Sequence, residues 1–247
     1  MHLPVNYYLI ALVFCATLCC YNFHYILAGC LAQQKISIQL LLRRPIALVL
    51  IFIGIITVLF VFDQSGVSFV DITIACTLTL LYSIPLLPFK QLDFARKAGF
   101  LKTMLLAFTW MFVTAYLPLA ENHLQFSTTG ILIMTKRFLF ILMLCILFDN
   151  RDVTIDKVHG LHSLATDLSP RTMQWLIYIV FSLLFILNFF LGKNGVSSSQ
   201  VAALQLSALI TLGVYYFSTK KQGYLFYYFI VDGMMVLITL FTTIASI

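Results

Sequence analysis

Long runs of apolar residues constrain this chain more than any other feature of its sequence. Hydrophobic residues make up 62% of the 247 positions and charged residues only 10%, whereas a soluble domain carries about 25% charged residues. Lipid offers the backbone no hydrogen-bond partners, so an apolar run of about 20 residues predicts a membrane-spanning helix. The sequence therefore predicts an all-α, polytopic transmembrane helix bundle.

Eight such runs predict eight spans within a single domain that covers residues 1–247. The first run follows no basic segment and precedes no cleavage site, so it predicts a span rather than a signal peptide. The predicted spans cover residues 5–27, 46–62, 69–87, 101–119, 126–148, 173–191, 200–217 and 225–246.

The basic residues predict how the spans are oriented. The connections after the first, third, fifth and seventh spans are basic, whereas the opposite connections contain only Lys193. Because basic loops stay in the cytoplasm, we expect a multi-pass protein of the inner (cytoplasmic) membrane with both termini outside. This asymmetry explains the net charge of +6, so the basic character indicates membrane lipid as a partner and no nucleic acid.

Two basic residues, Lys136 and Arg137, fall inside the fifth predicted span. Charges at that depth are costly and face a cavity, a partner or the membrane surface. Two alternatives remain open: the side chains extend outward to the membrane surface, or Arg137 pairs with Asp232 in the eighth span. The six cysteines lie almost entirely within spans and form no C-x-x-C pair, which indicates packing residues.

An acidic cluster follows the fifth apolar run. Asp149, Asp152 and Asp156 are spaced i, i+3, i+7, so they share one face if the fifth helix continues. Carboxylates in such an arrangement repel one another unless a cation lies among them, and oxygen ligands suit Mg²⁺, which is often shared with phosphate. The alternative is a solvated helix end that Arg151 and Lys157 neutralise.

A second stretch, "LYSIPLLPFKQLDFARKAGFLKTML" at residues 80–105, links the third and fourth spans. By parity it lies on the same membrane side as the acidic cluster, so its lysines can face the carboxylates. Carboxylate-bound metal together with lysine or arginine forms a clamp for diphosphate. The alternative is that these lysines only keep the loop in the cytoplasm.

Three segments resemble the UbiA superfamily of intramembrane prenyltransferases: "YSIPLLPFK", "LKTMLLAFTW" and "FDNRDVTIDKVHGLHSLA". The resemblance implies a helix bundle, typically of nine helices, that uses Mg²⁺ to transfer a prenyl group from a prenyl diphosphate to a lipophilic acceptor. The D-x-x-x-D motif of the family falls on Asp152 and Asp156, directly after Asp149. The resemblance thus implies metal binding by Asp149, Asp152 and Asp156, a catalytic role for Lys90 with the two motif aspartates, and substrate binding by Tyr82, Lys90, Lys102 and Arg151, all on the cytoplasmic side.

The chain departs from the family pattern in its first predicted span. The first family motif, N-x-x-x-D, retains Asn22, but Ile26 and Cys30 stand where acidic residues are expected. One predicted span fewer than nine is present. We still expect Asn22 and His24 to bind substrate across a cavity from Asp152 and Asp156. The missing acids favour an alternative, a catalytically inactive UbiA-fold protein that binds lipid or a partner; a small-solute transporter has weaker support.

Overall fold

The structure, a computed structural model, describes residues 5–32, 44–83, 99–159, 162–220, 222–223 and 225–246. Throughout these ranges the regular secondary structure is helical. A 3₁₀ turn covers Phe62–Gln64 and a short helix covers Leu164–Asp167. The main helices are α1 (Tyr7–Ala32), α2 (Pro45–Val61), α3 (Phe69–Ser83), α4 (Gly99–Glu121), α5 (Thr128–His159), α6 (Pro170–Lys193), α7 (Ser198–Ser218) and α8 (Phe226–Ile244).

Within the described ranges, seven helices are long and apolar enough to cross a membrane. The eighth, α3, contributes a shorter apolar segment, Phe69–Tyr82, and the last residues of the predicted third span, 84–87, lie outside the described ranges. The prediction of an all-α, polytopic bundle is therefore confirmed.

Helix α5 is the centre of the packing. It contacts α4 on one side and α6 on another, while α6, α7 and α8 pack against one another in chain order. All side chains from Leu139 to Leu147 are buried, so this stretch of α5 is enclosed by protein rather than lipid. Its uniformly apolar sequence fits a helix that is surrounded by other helices.

Helices α1 and α2 form a pair that is held by close contact between small residues. A Cβ atom at Gly54 of α2 would lie 2.4 Å from the Cys19 Sγ atom of α1. The Cys19 thiol in turn lies 3.5 Å from the Ile51 carbonyl oxygen. Small residues let membrane helices approach closely, and the five cysteines whose side chains are described are free thiols.

Polar contacts show which connections share an end of the bundle. Asn6 donates to the Ser65 carbonyl oxygen and to Glu121 at 3.2 and 2.6 Å. Thr129 contacts the Asn194 carbonyl oxygen, and Ser199 donates to the Ala245 carbonyl oxygen at 2.8 Å. These contacts place both ends of the described chain, with the connections after α2, α4 and α6, at one end. Successive connections therefore lie at alternate ends of the bundle, which agrees with the predicted spans. The assignment of the opposite end to the cytoplasm stays a prediction.

Candidate functional site

The acidic cluster lies on the last turns of α5. This helix continues without a break to His159, so Asp149, Asp152 and Asp156 are arranged along one side, as helical spacing requires. Asp156 is 9% exposed and Asp149 is partly buried. Carboxylates at this degree of burial need polar partners. Asp149 finds one on α4, and Asp152 finds one on α5 itself.

Asp149 is held by the start of α4. The hydroxyl group of Thr103, which is buried, donates to the Asp149 Oδ2 atom at 2.6 Å. Lys102 and Asp156 also interact electrostatically with this carboxylate. The arrangement therefore combines two acidic groups and one lysine, which is a set that binds a cation and an anion together.

The start of α4 is fixed against the segment that follows α5. A Cβ atom at Gly99 would lie 2.5 Å from the Ser163 backbone nitrogen and 2.6 Å from the His162 carbonyl carbon. Only a residue without a side chain permits this approach of two backbones. Gly99 thereby holds the start of α4, one turn before Thr103, against the segment after α5.

Asp152 is engaged by its neighbour in the sequence. The Arg151 Nε and Nη2 atoms donate to its two carboxylate oxygens at 2.7 and 2.8 Å. The guanidinium group lies 5.0 to 5.3 Å from the ring centres of Phe148, Tyr227 and Tyr228. This cation is thus stabilised by a bidentate ion pair and by aromatic faces.

Side chains of α1, α3, α5 and α8 interact with one another in one region of the bundle, and we call this region the central gap. Tyr21 of α1 is 63% exposed, yet it interacts electrostatically with Cys145 of α5 and Asp232 of α8. Tyr21 is therefore on the side of α1 that faces α5 and α8. The central gap is defined by Tyr21, Cys145 and Asp232, together with Tyr82 and Asp149.

Two predicted substrate-binding residues, His24 and Tyr82, meet at the central gap. Their ring centres are 6.1 Å apart, and Tyr82 interacts electrostatically with Cys145 and Asp149. The structure therefore brings His24, Tyr82, Lys102 and Asp149 into one region. It also places Asp156 there through its interaction with Asp149.

Asn22 lies on a different face of α1. Its amide donates to the Leu18 carbonyl oxygen of the same helix at 2.8 Å. Ile26, one turn later, is 4% exposed and packs with Ala47 of α2. A carboxylate at position 26 would therefore face α2 rather than the central gap, so the structure separates Asn22 from His24. Lys90 lies outside the described ranges.

The donor set for a metal ion is incomplete in this arrangement. Among the residues whose positions are described, no group of three His, Cys, Asp or Glu side chains is placed to hold a metal ion. Asp149 already accepts from Thr103, and Asp152 is occupied by Arg151. The carboxylates suit Mg²⁺ chemically, but binding through Asp152 requires that Arg151 release it.

Sequence reasoning missed three features of this region. Thr103 directly follows Lys102 in the quoted basic stretch, and its polar side chain inside an apolar helix was the available signal. Tyr21 had no signal, because its role depends on the distance between α1 and α8. The aromatic residues around Arg151 come from α5 and α8, which only the tertiary packing brings together.

A second space, a cavity of about 690 Å³, lies between α5, α6 and α7. It is lined in part by Asn150, Gln174, Tyr178 and Tyr215. Asn150 follows Asp149 by one residue, which turns it about 100° away on the helix. This cavity is therefore separate from the central gap.

No family model, curated protein or solved structure matches the chain.

Proposed function

We propose that the chain binds a prenyl diphosphate in the central gap together with Mg²⁺, and transfers the prenyl group to a lipophilic acceptor. The observation that carries this proposal is the convergence of Asp149, Asp156 and Lys102 at the end of the gap. A diphosphate needs several positive charges around it, and carboxylates supply them by holding a metal ion.

The chemistry follows from the charge that leaves the substrate. The carbon–oxygen bond of the prenyl diphosphate breaks, and diphosphate departs with the electron pair. The allylic cation is then attacked by the acceptor, which loses a proton. A Mg²⁺ ion held by Asp149 and Asp156 would supply positive charge for the diphosphate group, and Lys102 adds a second positive charge. The rings of Tyr21 and Tyr82 border the gap, where aromatic faces stabilise a cation.

Arg151 has a defined part in this proposal. It forms an ion pair with Asp152. If Asp152 instead held Mg²⁺, the guanidinium group would be free to bind diphosphate, for which its planar pair of donors is suited. One residue would thus exchange an internal anion for an external one.

A second candidate function is that of a catalytically inactive UbiA-fold protein that binds lipid or a partner. Two observations favour it. Ile26 is packed against α2, so the first motif has neither its carboxylate nor its orientation. Asp152 is already neutralised within the protein. This candidate predicts binding of an amphiphile in the central gap without any dependence on Mg²⁺.

The test compares Asp156→Asn with Asp63→Asn, a matched control in the 3₁₀ turn after α2. Binding of geranylgeranyl diphosphate to the purified protein is measured with Mg²⁺ and with a chelator. We expect Asp156→Asn to weaken Mg²⁺-dependent binding at least tenfold, or about 1.4 kcal/mol, and Asp63→Asn to leave it unchanged.

The outcomes separate the two candidates. Binding that survives the chelator and the Asp156→Asn change supports the inactive protein and overturns the transferase. If neither condition gives binding, both candidates fail. Mg²⁺-dependent binding followed by release of inorganic diphosphate, on addition of a membrane lipid extract as acceptor, supports transfer.

A further inference from the structure

A second polar region lies in the opposite half of α5, towards the end that holds the termini. Lys136 and Arg137 line a small cavity of about 40 Å³ between α5, α7 and α8. Leu204 of α7 and Thr239 and Thr242 of α8 complete most of its wall. Both cations are partly buried, so this is an enclosed place inside the bundle rather than a loop surface.

Neither cation has a protein partner within the part of the chain that the structure describes. The pairing of Arg137 with Asp232 that the sequence left open is not formed among these residues. Asp232 instead interacts electrostatically with Arg151, and it lies seven residues before Thr239, about 10 Å along α8. Among the described residues, the charged group that acts on Lys136 is Arg137, which repels it.

The nearby hydroxyl groups do not offer donors to a ligand. Thr239 donates to the Met235 carbonyl oxygen at 2.9 Å, and Thr242 donates to the Ile238 carbonyl oxygen at 2.8 Å. The N–H groups of Lys136 and Arg137 are therefore the donors that face the cavity. A cavity with two cationic donors and no acidic partner is complementary to an anion.

The depth of this pair favours the binding of an anion. Both residues lie inside the span Thr128–Val153, with Lys136 about 7 Å from its midpoint at 1.5 Å per residue. An isolated charge in a medium of low polarity is costly, and two adjacent like charges are more so. Long basic side chains reduce this cost by reaching towards the membrane surface, which brings them nearer the headgroups of that leaflet.

We propose that Lys136 and Arg137 bind the phosphate group of an anionic membrane lipid from the leaflet at the end that holds the termini. Arg137 matches a phosphate through paired donors, and Lys136 adds a point charge. The cavity has room for the anionic group alone, so the acyl chains lie outside it. Val236 and Leu240, which flank Thr239 on α8, are 61% and 54% exposed and offer an apolar surface for those chains.

This site does not depend on the proposed function. Arg137 lies twelve residues before Asp149, about 18 Å away along α5. The two regions also bind different ligands. The central gap takes a substrate and a metal ion, whereas Lys136 and Arg137 bind a lipid whose phosphate group neutralises their charges. Loss of lipid binding by Lys136 and Arg137 can therefore be measured without loss of ligand binding in the central gap.

The experiment is native mass spectrometry of the purified protein with added phosphatidylglycerol or phosphatidylcholine. The variant is Lys136→Gln/Arg137→Gln, and the control is Lys193→Gln, a basic residue that ends α6 and whose ammonium group lies over the Phe189 ring. We expect one tightly held phosphatidylglycerol in the wild type, at least tenfold weaker binding in the double variant, and no change in the control. Phosphatidylcholine should bind more weakly because its choline cation is repelled.

The remaining outcomes overturn the proposal. Equal retention of phosphatidylglycerol by the double variant places the lipid elsewhere. An equal loss of phosphatidylglycerol binding in Lys193→Gln would mean that binding depends only on the general surface charge. A separate arm adds inorganic phosphate alone and follows thermal unfolding: stabilisation by phosphate, without retention of phosphatidylglycerol, assigns the pair to a free anion. A melting temperature of the double variant at or above that of the wild type shows that weaker binding is not a folding defect.

Discussion

At the scale of single residues, Thr103 is the side chain that connects the candidate site to the scaffold. It is buried on α4 and donates to Asp149 on α5 at 2.6 Å. Hydrogen bonds to charged groups contribute more than neutral ones, and removing one partner leaves the other with its full desolvation cost. The contact therefore both orients Asp149 and contributes to the packing of two helices.

Thr103→Val tests this connection. We expect the free energy of unfolding to fall by about 2 kcal/mol, because a partly buried carboxylate loses its donor. Thr109→Val is the matched control, since the Thr109 hydroxyl donates only to the Leu105 carbonyl oxygen of its own helix. Denaturant unfolding in detergent measures both. Equal losses in the two variants would mean that the contact with Asp149 adds no stability.

Residues also mark the limit of what the sequence could predict about the site. The spacing of Asp149, Asp152 and Asp156 predicted a shared side of α5, and the continuous helix supports it. The ion pair of Arg151 with Asp152 matches the alternative that Arg151 neutralises the cluster. The spacing did not predict which carboxylate Arg151 would engage, because i and i+1 side chains point in different directions on an ideal helix. Likewise, the sequence places Ile26 one helical turn after Asn22. It does not predict which helix these two residues face, which depends on the packing of α1 on α2.

At the scale of elements, the length of α5 explains why the acidic cluster lies where it does. Its 32 residues correspond to about 48 Å, whereas the hydrocarbon core of a membrane is about 30 Å thick. The helix therefore extends well beyond the hydrocarbon core. The apolar run ends at Phe148, so hydropathy alone predicted the span but not the continuation that carries the carboxylates.

The junction between α4 and the segment after α5 gives a prediction about elements. Gly99→Ala should destabilise the protein and weaken any ligand binding that depends on Asp149, because the new Cβ atom meets the Ser163 backbone nitrogen at 2.5 Å. Backbone atoms cannot move aside as a flexible side chain does, so α4 and this segment must separate. Thermal unfolding and geranylgeranyl diphosphate binding measure the two effects.

Gly213→Ala in α7 is the control for this change. A Cβ atom there has nothing within 4 Å, so we expect a stability equal to the wild type or higher by about 0.5 to 1 kcal/mol through helix propensity. If Gly99→Ala behaves like Gly213→Ala, the close contact at the start of α4 does not constrain the site.

At the scale of the whole molecule, the helix contacts fall into two main groups. Helices α4, α6, α7 and α8 pack with α5, whereas α1 packs mainly on α2. Leu9 of α1 also packs against Phe112 and Leu117 of α4, which joins the two groups. The central gap lies between these two groups, and it is bordered by polar and aromatic side chains from both. Apolar runs predict how many helices a chain has, but the space between them depends on side-chain shape at each contact, which the runs do not encode.

The orientation of the bundle is the last prediction, and it decides which compartment the candidate site faces. Among the described residues, Lys157 and Lys220 lie at the end opposite the termini, and Lys193 lies at the same end as the termini. Basic residues resist transfer across the membrane during insertion. We therefore expect an impermeant amine reagent applied to intact cells to label Lys193, and to label Lys35, Lys97, Lys157 and Lys220 only after the membrane is opened. Labelling of Lys157 in intact cells would place the acidic cluster outside, where a site for a diphosphate made in the cytoplasm has no supply. Labelling of Lys97 and Lys157 from opposite sides would separate the loop before α4 from the end of α5, and would remove the shared site altogether.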